Sequence, residues 1–164
     1  MTKSMFVFSV PHGLQGPEFQ GYRKDRAYEL ALEDWLHDGK ADFVFEEAGS
    51  KPKSSIAQGL ADSMLGKGHY LNVDPPLVER PSYGIAERDA RGKLLLPSEV
   101  TNVEEQEERE TAWLRRILET DFKEGLLICG YCHNLSIAFR LRSLGIHILG
   151  VQSYFPIAVK NLSC

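Results

Sequence analysis

The stretch GLLICGYCHNLSIAFRLRSLGIHILGV, residues 125–151, decides how this chain is read. Gly125-Leu-Leu-Ile-Cys129 is a short, continuously apolar run, the pattern of a strand buried on both faces. Asn134 then caps a helix that runs through Leu144, and Gly145 ends it. Ile146 to Val151 is a second apolar run. Strand, helix and strand in 27 residues make a unit whose two strands lie parallel, because a crossover helix carries the chain back to the same end of the sheet.

Working outward, the same alternation recurs. Phe6 to Val10 reads as a first strand, with Pro11, His12 and Gly13 just beyond it. From Tyr22 the positions Tyr28, Ala31, Leu32, Trp35 and Leu36 follow the spacing of one helical face, and Gly39 supplies the stop. Asp42-Phe-Val-Phe-Glu46 is a second strand, ending in the carboxylate pair Glu46-Glu47. A serine cap at Ser54 or Ser55 opens a helix through Ile56, Leu60, Ala61, Met64 and Leu65, closed by Gly66. His69 to Val73 is a third strand. Thr101 or Asn102 caps a helix whose core face is Trp113, Leu114, Ile117 and Leu118. The acid-rich stretch Glu104 to Glu110 reads as a solvated face of that helix. The expectation is a single α/β domain over 1–164: a three-layer sandwich with a mostly parallel five-stranded sheet and helices on both faces. A long loop containing Pro and Gly at about 74–101 interrupts it.

Composition narrows the function classes. The chain has 164 residues and a formal charge of −4, with no basic stripe to displace counterions, so no nucleic-acid partner is expected. No apolar run approaches the roughly 20 residues that span a bilayer, and no signal peptide is visible, so no membrane partner and a cytoplasmic location are expected. Three cysteines do not suggest a secreted disulfide framework. Cys129-Gly-Tyr-Cys132-His133 matches the haem-attachment spelling, but nothing suggests export, and no haem is expected. Gly13-Leu-Gln-Gly16 lacks the spacing of a dinucleotide loop, and no Gly-Lys-Ser/Thr follows a strand, so no nucleotide is expected either.

In parallel sheets ligands bind beyond the carboxyl ends of the strands. Each strand here delivers polar residues there: His12 after the first, Glu46 and Glu47 after the second, Asp74 after the third, His133 after the fourth, Gln152 and Ser153 after the fifth. Two histidines and a carboxylate suit a divalent metal such as Zn, Mn or Fe, with His12, Glu46 and His133 as ligands. The same groups suit metal-free hydrolysis, with a histidine moving a proton and a carboxylate orienting it. Adjacent residues on a strand point to opposite faces, so only one of Glu46 and Glu47 faces the site; Glu46 is favoured. Arg80 is the cation placed to steady an oxyanion, since Asp74-Pro-Pro-Leu-Val-Glu-Arg80 keeps it near the third strand's end.

Gly130-Tyr-Cys-His133, the Glu46-Glu47 pair and Ser9-Val-Pro-His12 resemble the motifs of the TraB, TIKI and ChaN-like proteins and, more distantly, of erythromycin-esterase-like enzymes. That pattern has an early G-x-x-H, an acidic residue after the next strand, an arginine and a late G-x-x-H. The early motif departs from it, with Ser9 where glycine is usual. The resemblance implies a hydrolase of metal-dependent peptidase or esterase type, with His12, Glu46, Glu47, His133 and Arg80 as site residues. A small polar molecule or peptide is the expected partner, and a homo-oligomer is compatible. Two other functions fit the sequence: a non-catalytic ligand-binding or sensor domain using the same crevice, and dithiol redox chemistry through Cys129 and Cys132.

Overall fold

The computed structural model describes residues 2–11, 26–37, 39–48, 55–75 and 102–154, with the backbone alone for 102–106. Within these, β1 (Ser4–Val10), α1 (Arg26–His37), β2 (Phe43–Glu46), α2 (Ile56–Met64), β3 (Tyr70–Asn72), α3 (Asn102–Glu119), β4 (Glu124–Gly130), α4 (Asn134–Ser143) and β5 (His147–Ser153) follow in chain order. A single 3-10 turn, Tyr131–His133, joins β4 to α4. His12, Arg80 and most of the 74–101 stretch lie outside the described residues.

The strands form one sheet in the order β3-β2-β4-β1-β5, and every pairing is parallel. Strand alternation sorts the core into two clusters. Met5, Val7, Phe43, Phe45, Leu127 and Cys129 pack with Trp113 and Ile117 of α3 and with Ile137 and Leu141 of α4. Their chain neighbours Phe6, Phe8, Val10, Val44, Leu126 and Ile128 pack instead with Tyr28, Leu32 and Leu36 of α1 and Ala57 and Ala61 of α2. The period of two along a strand therefore assigns α1 and α2 to one face and α3 and α4 to the other. The two faces match the direction of travel. The chain moves from β1 through β2 to β3 over one face and returns from β3 through β4 to β5 over the other, so all crossovers keep one hand.

Local chemistry fixes the elements. Ser55 is the N-cap of α2, its hydroxyl accepting from the Gln58 amide at 3.0 Å. Gly39 and Gly145, following α1 and α4, have φ of 65° and 84°, the left-handed geometry that ends helices at little cost for glycine. At the sheet edge β5 changes register against β1 between Met5 and Phe6. Gly150 lies there under the Phe6 ring, where a Cβ would meet Phe6 Cε2 at 2.7 Å.

Candidate functional site

The carboxyl ends of β2, β3 and β4 converge with α3. At the end of β2, strand alternation sends Glu46 and Glu47 to opposite faces. Glu46 follows Val44 to the α1/α2 side, and Glu47 turns to the α3/α4 side. Glu47 Oε1 accepts from Arg109 Nη2 at 2.7 Å, and Oε2 accepts from the Gly130 amide at 2.9 Å. Arg109 also donates from Nε to Asp74 Oδ1 at 3.2 Å, and Trp113 Nε1 donates to the same oxygen at 3.3 Å. One guanidinium thus ties the end of β2 to the end of β3. It also lies over the Trp113 ring, 5.4 Å from the ring centre.

His133 completes the cluster. Its Nε2 lies 3.7 Å from Glu47 Oε1, and its Nδ1 lies 2.9 Å from Glu110 Oε1. Ser136 donates to that Glu110 oxygen, while Arg140 Nη1 donates to Oε2 at 3.3 Å. The Trp113 ring meets the imidazole edge-on, with centres 4.7 Å apart. Burial alone pulls the His133 pKa down, but hydrogen bonds to Cys132 and Glu110 and the Glu47 charge outweigh it and raise it to about 9. His133 is an imidazolium at neutral pH. Burial works against the Glu110 carboxylate too, and its bonds to His133, Ser136 and Arg140 bring its pKa below the ordinary value.

On the other side of β2, Glu46 is 0% exposed. Its Oε2 accepts from the Ser55 and Tyr70 hydroxyls, the latter at 2.7 Å, while Oε1 has no hydrogen-bond partner among the described residues. Burial, helped by the Glu47 charge, raises its pKa to about 7 against the pull of the two hydroxyls.

Several expectations change here. Glu47, not Glu46, comes to His133, because strand alternation carries Glu47 with Phe45 to the α3/α4 face, where His133 meets Trp113. The guanidinium beside the carboxylates is Arg109; the expected Arg80, like His12, lies outside the described residues. The stretch Glu104 to Glu110 is not solvated throughout, since Glu110 is 3% exposed and bound to His133. Arg109, Glu110 and Trp113 were missed as a group, although spacings of three and four residues put Arg109 and Glu110 one turn before Trp113 on its core face.

The expected metal ligands Glu46 and His133 face opposite sides of the sheet, so these two do not fit a shared metal. Among the described residues no group of three or more His, Cys, Asp or Glu side chains is arranged to hold an ion. Of the two motif cysteines, Cys129 is buried and burial pushes its thiol well up, away from the thiolate that exchange chemistry uses, whereas Cys132 is exposed. No helix among the described residues is long and apolar enough to cross a membrane. No family model, no curated protein and no solved structure matches the chain.

Proposed function

We propose that this chain is a small hydrolase acting on a polar molecule or peptide, with its His/Glu site at the carboxyl ends of β2 and β4. The observation that carries this reading is the approach of two cationic side chains, Arg109 and His133, to one oxygen, Glu47 Oε1, at 2.7 and 3.7 Å. Water attacking an ester or amide carbonyl builds negative charge on the carbonyl oxygen. Preorganised cations in a water-poor setting are the groups that stabilise that charge. His133, held as an imidazolium by Glu110, has a proton to give to the leaving group as its bond to carbon breaks, and the proton lost by the attacking water then restores the imidazolium. Glu47 and Glu110 set the direction of both cations. The motif resemblance of Gly130-Tyr-Cys-His133 and Glu46-Glu47 to TraB-like and erythromycin-esterase-like proteins supports the same class.

A panel of simple esters, peptides and phosphoesters tests the proposal. Turnover on one class is expected, falling on the order of 10²- to 10⁴-fold in His133→Gln, with the fold checked by circular dichroism. No turnover on any class, or turnover unchanged in His133→Gln, overturns it.

One observation favours a second reading, a non-catalytic binding or sensor domain. The three carboxylates Glu47, Asp74 and Glu110 are matched by Arg109, His133 and Arg140, so the cluster is already neutralised from within. A ligand held by the wild-type chain and recovered unchanged after long incubation identifies that case.

A further inference from the structure

Glu46 is a buried carboxyl that the cluster around His133 does not use. It is the last residue of β2 and faces the α1/α2 side, at the edge where parallel sheets admit ligands. Ser55 and Tyr70 fix Oε2 from two directions, while Oε1 is buried without a partner among the described residues. Among the described residues no cation pairs with Glu46; its neighbours are hydroxyls, and the nearby Glu47 charge repels it. Native structures seldom leave a buried oxygen unmet, so Oε1, unpartnered among the described residues, is placed to accept from a bound donor. Aromatic rings stand on the same face: Phe8, Tyr28 and Tyr154 have centres 5.9–6.3 Å apart, and the Glu46 charge reaches Tyr28. An ionised carboxylate selects a positively charged nitrogen over a neutral donor by charge, and aromatic rings on the same face favour a cation.

We infer that Glu46 forms a recognition subsite for a protonated amine, with Oε1 accepting from an ammonium group and Ser55 and Tyr70 holding the carboxylate in place. This rests on the hydrolase reading and narrows its substrate to amine-bearing esters or peptides. An ammonium needs the ionised form of Glu46, so occupation strengthens as pH rises through the group's midpoint. The groups that bear on that midpoint are Ser55 at the head of α2, Tyr70 from β3 and Glu47 from the same chain segment, while Tyr28 from α1 faces the Glu46 charge and is itself raised by burial and by that charge. Asp62 of α2 acts on Tyr70.

The test uses the full chain and ethylammonium as probe, read by carboxyl carbon NMR of labelled glutamate. Binding in the roughly millimolar range is expected, near the limit for so few atoms. Saturating probe should move the Glu46 midpoint down by about one unit, as an added neighbouring cation does. Neutral propanol should leave it in place, and Glu46→Gln should weaken binding at least about tenfold. An unmoved midpoint, or equal shifts with propanol and ethylammonium, overturns the subsite; both are read on the wild-type chain, so an unfolded Glu46→Gln does not blunt the test. Ethylammonium binding without turnover overturns the hydrolase reading alone. Turnover of neutral esters with an unmoved midpoint overturns the subsite alone.

Discussion

His133 and Glu46 carry the largest consequences of single side chains, and both act in the same direction on stability. The His133 pKa rises from 6.5 to about 9 on folding, so its contribution is complete below 6.5 and lost as pH rises through 9. Glu46 rises from 4.5 to about 7, so the folded state holds its proton more tightly and loses that advantage as pH rises from 4.5 through 7. Glu110 is lowered, and its contribution disappears as pH falls through its folded value. Urea denaturation should therefore show stability falling in two stages between pH 4.5 and 9. Glu46→Gln should remove the lower stage and His133→Gln the upper one. A flat profile over that range rules out both shifts. Residue identity was partly legible: His133 follows an apolar run and a glycine, and such strand ends are exposed in a sequence. Which of Glu46 and Glu47 faces His133 was not, because alternation along Phe-Val-Phe-Glu-Glu parts the two carboxylates but does not say on which face of the sheet α3 and His133 lie.

At the scale of elements, apolar periodicity located the five strands and four α-helices of the described residues, since each must bury one face or stripe against the next layer. Of the two serines expected to cap α2, Ser55 does so; strand boundaries moved by a residue or two, with β5 running from His147 to Ser153. What stayed hidden was the polar use of α3. Its acidic first half has the composition of a solvated face, and only the position of Glu110 one turn before Trp113 sets it apart. The register change at Gly150 was equally invisible, because it depends on Phe6 lying between β5 and Trp35, with ring centres 3.7 Å apart in the latter contact. Gly150→Ala should push a methyl into the Phe6 ring and cost about 1–3 kcal/mol, the usual range for overpacking. Ser55→Ala removes both a helix cap and a donor to Glu46, and should cost about 1–2 kcal/mol. Thermal or urea unfolding of the two variants checks these values, and a Gly150→Ala chain as stable as wild type contradicts the packing described at the β1/β5 edge.

Across the whole molecule, the sheet order β3-β2-β4-β1-β5 brings strand ends far apart in sequence beneath one helix, so α3 becomes the clamp of the carboxyl edge. Arg109 is the residue through which it acts, joining Glu47 at the end of β2 to Asp74 beyond β3. Glu47 and Asp74 are each less than 5% exposed, so losing the guanidinium leaves two carboxylates buried together. Breaking a buried ion pair from one side costs about 3–5 kcal/mol, whereas removing both signs together is frequently neutral. Arg109→Leu should accordingly unfold at markedly lower urea concentration. The triple change Arg109→Leu, Glu47→Gln, Asp74→Asn should recover most of that loss. The clamp also predicts where the single variant opens first. β3 has three residues and pairs only with β2 among the described strands, so amide exchange at Tyr70–Asn72 should accelerate more than at β4, which is held between β2 and β1. If exchange rises equally across the sheet, Arg109 stabilises the molecule as a whole and not the β2/β3 edge. If the triple variant is no more stable than Arg109→Leu alone, the loss comes from the packing of Arg109 on Trp113 and not from the stranded carboxylates.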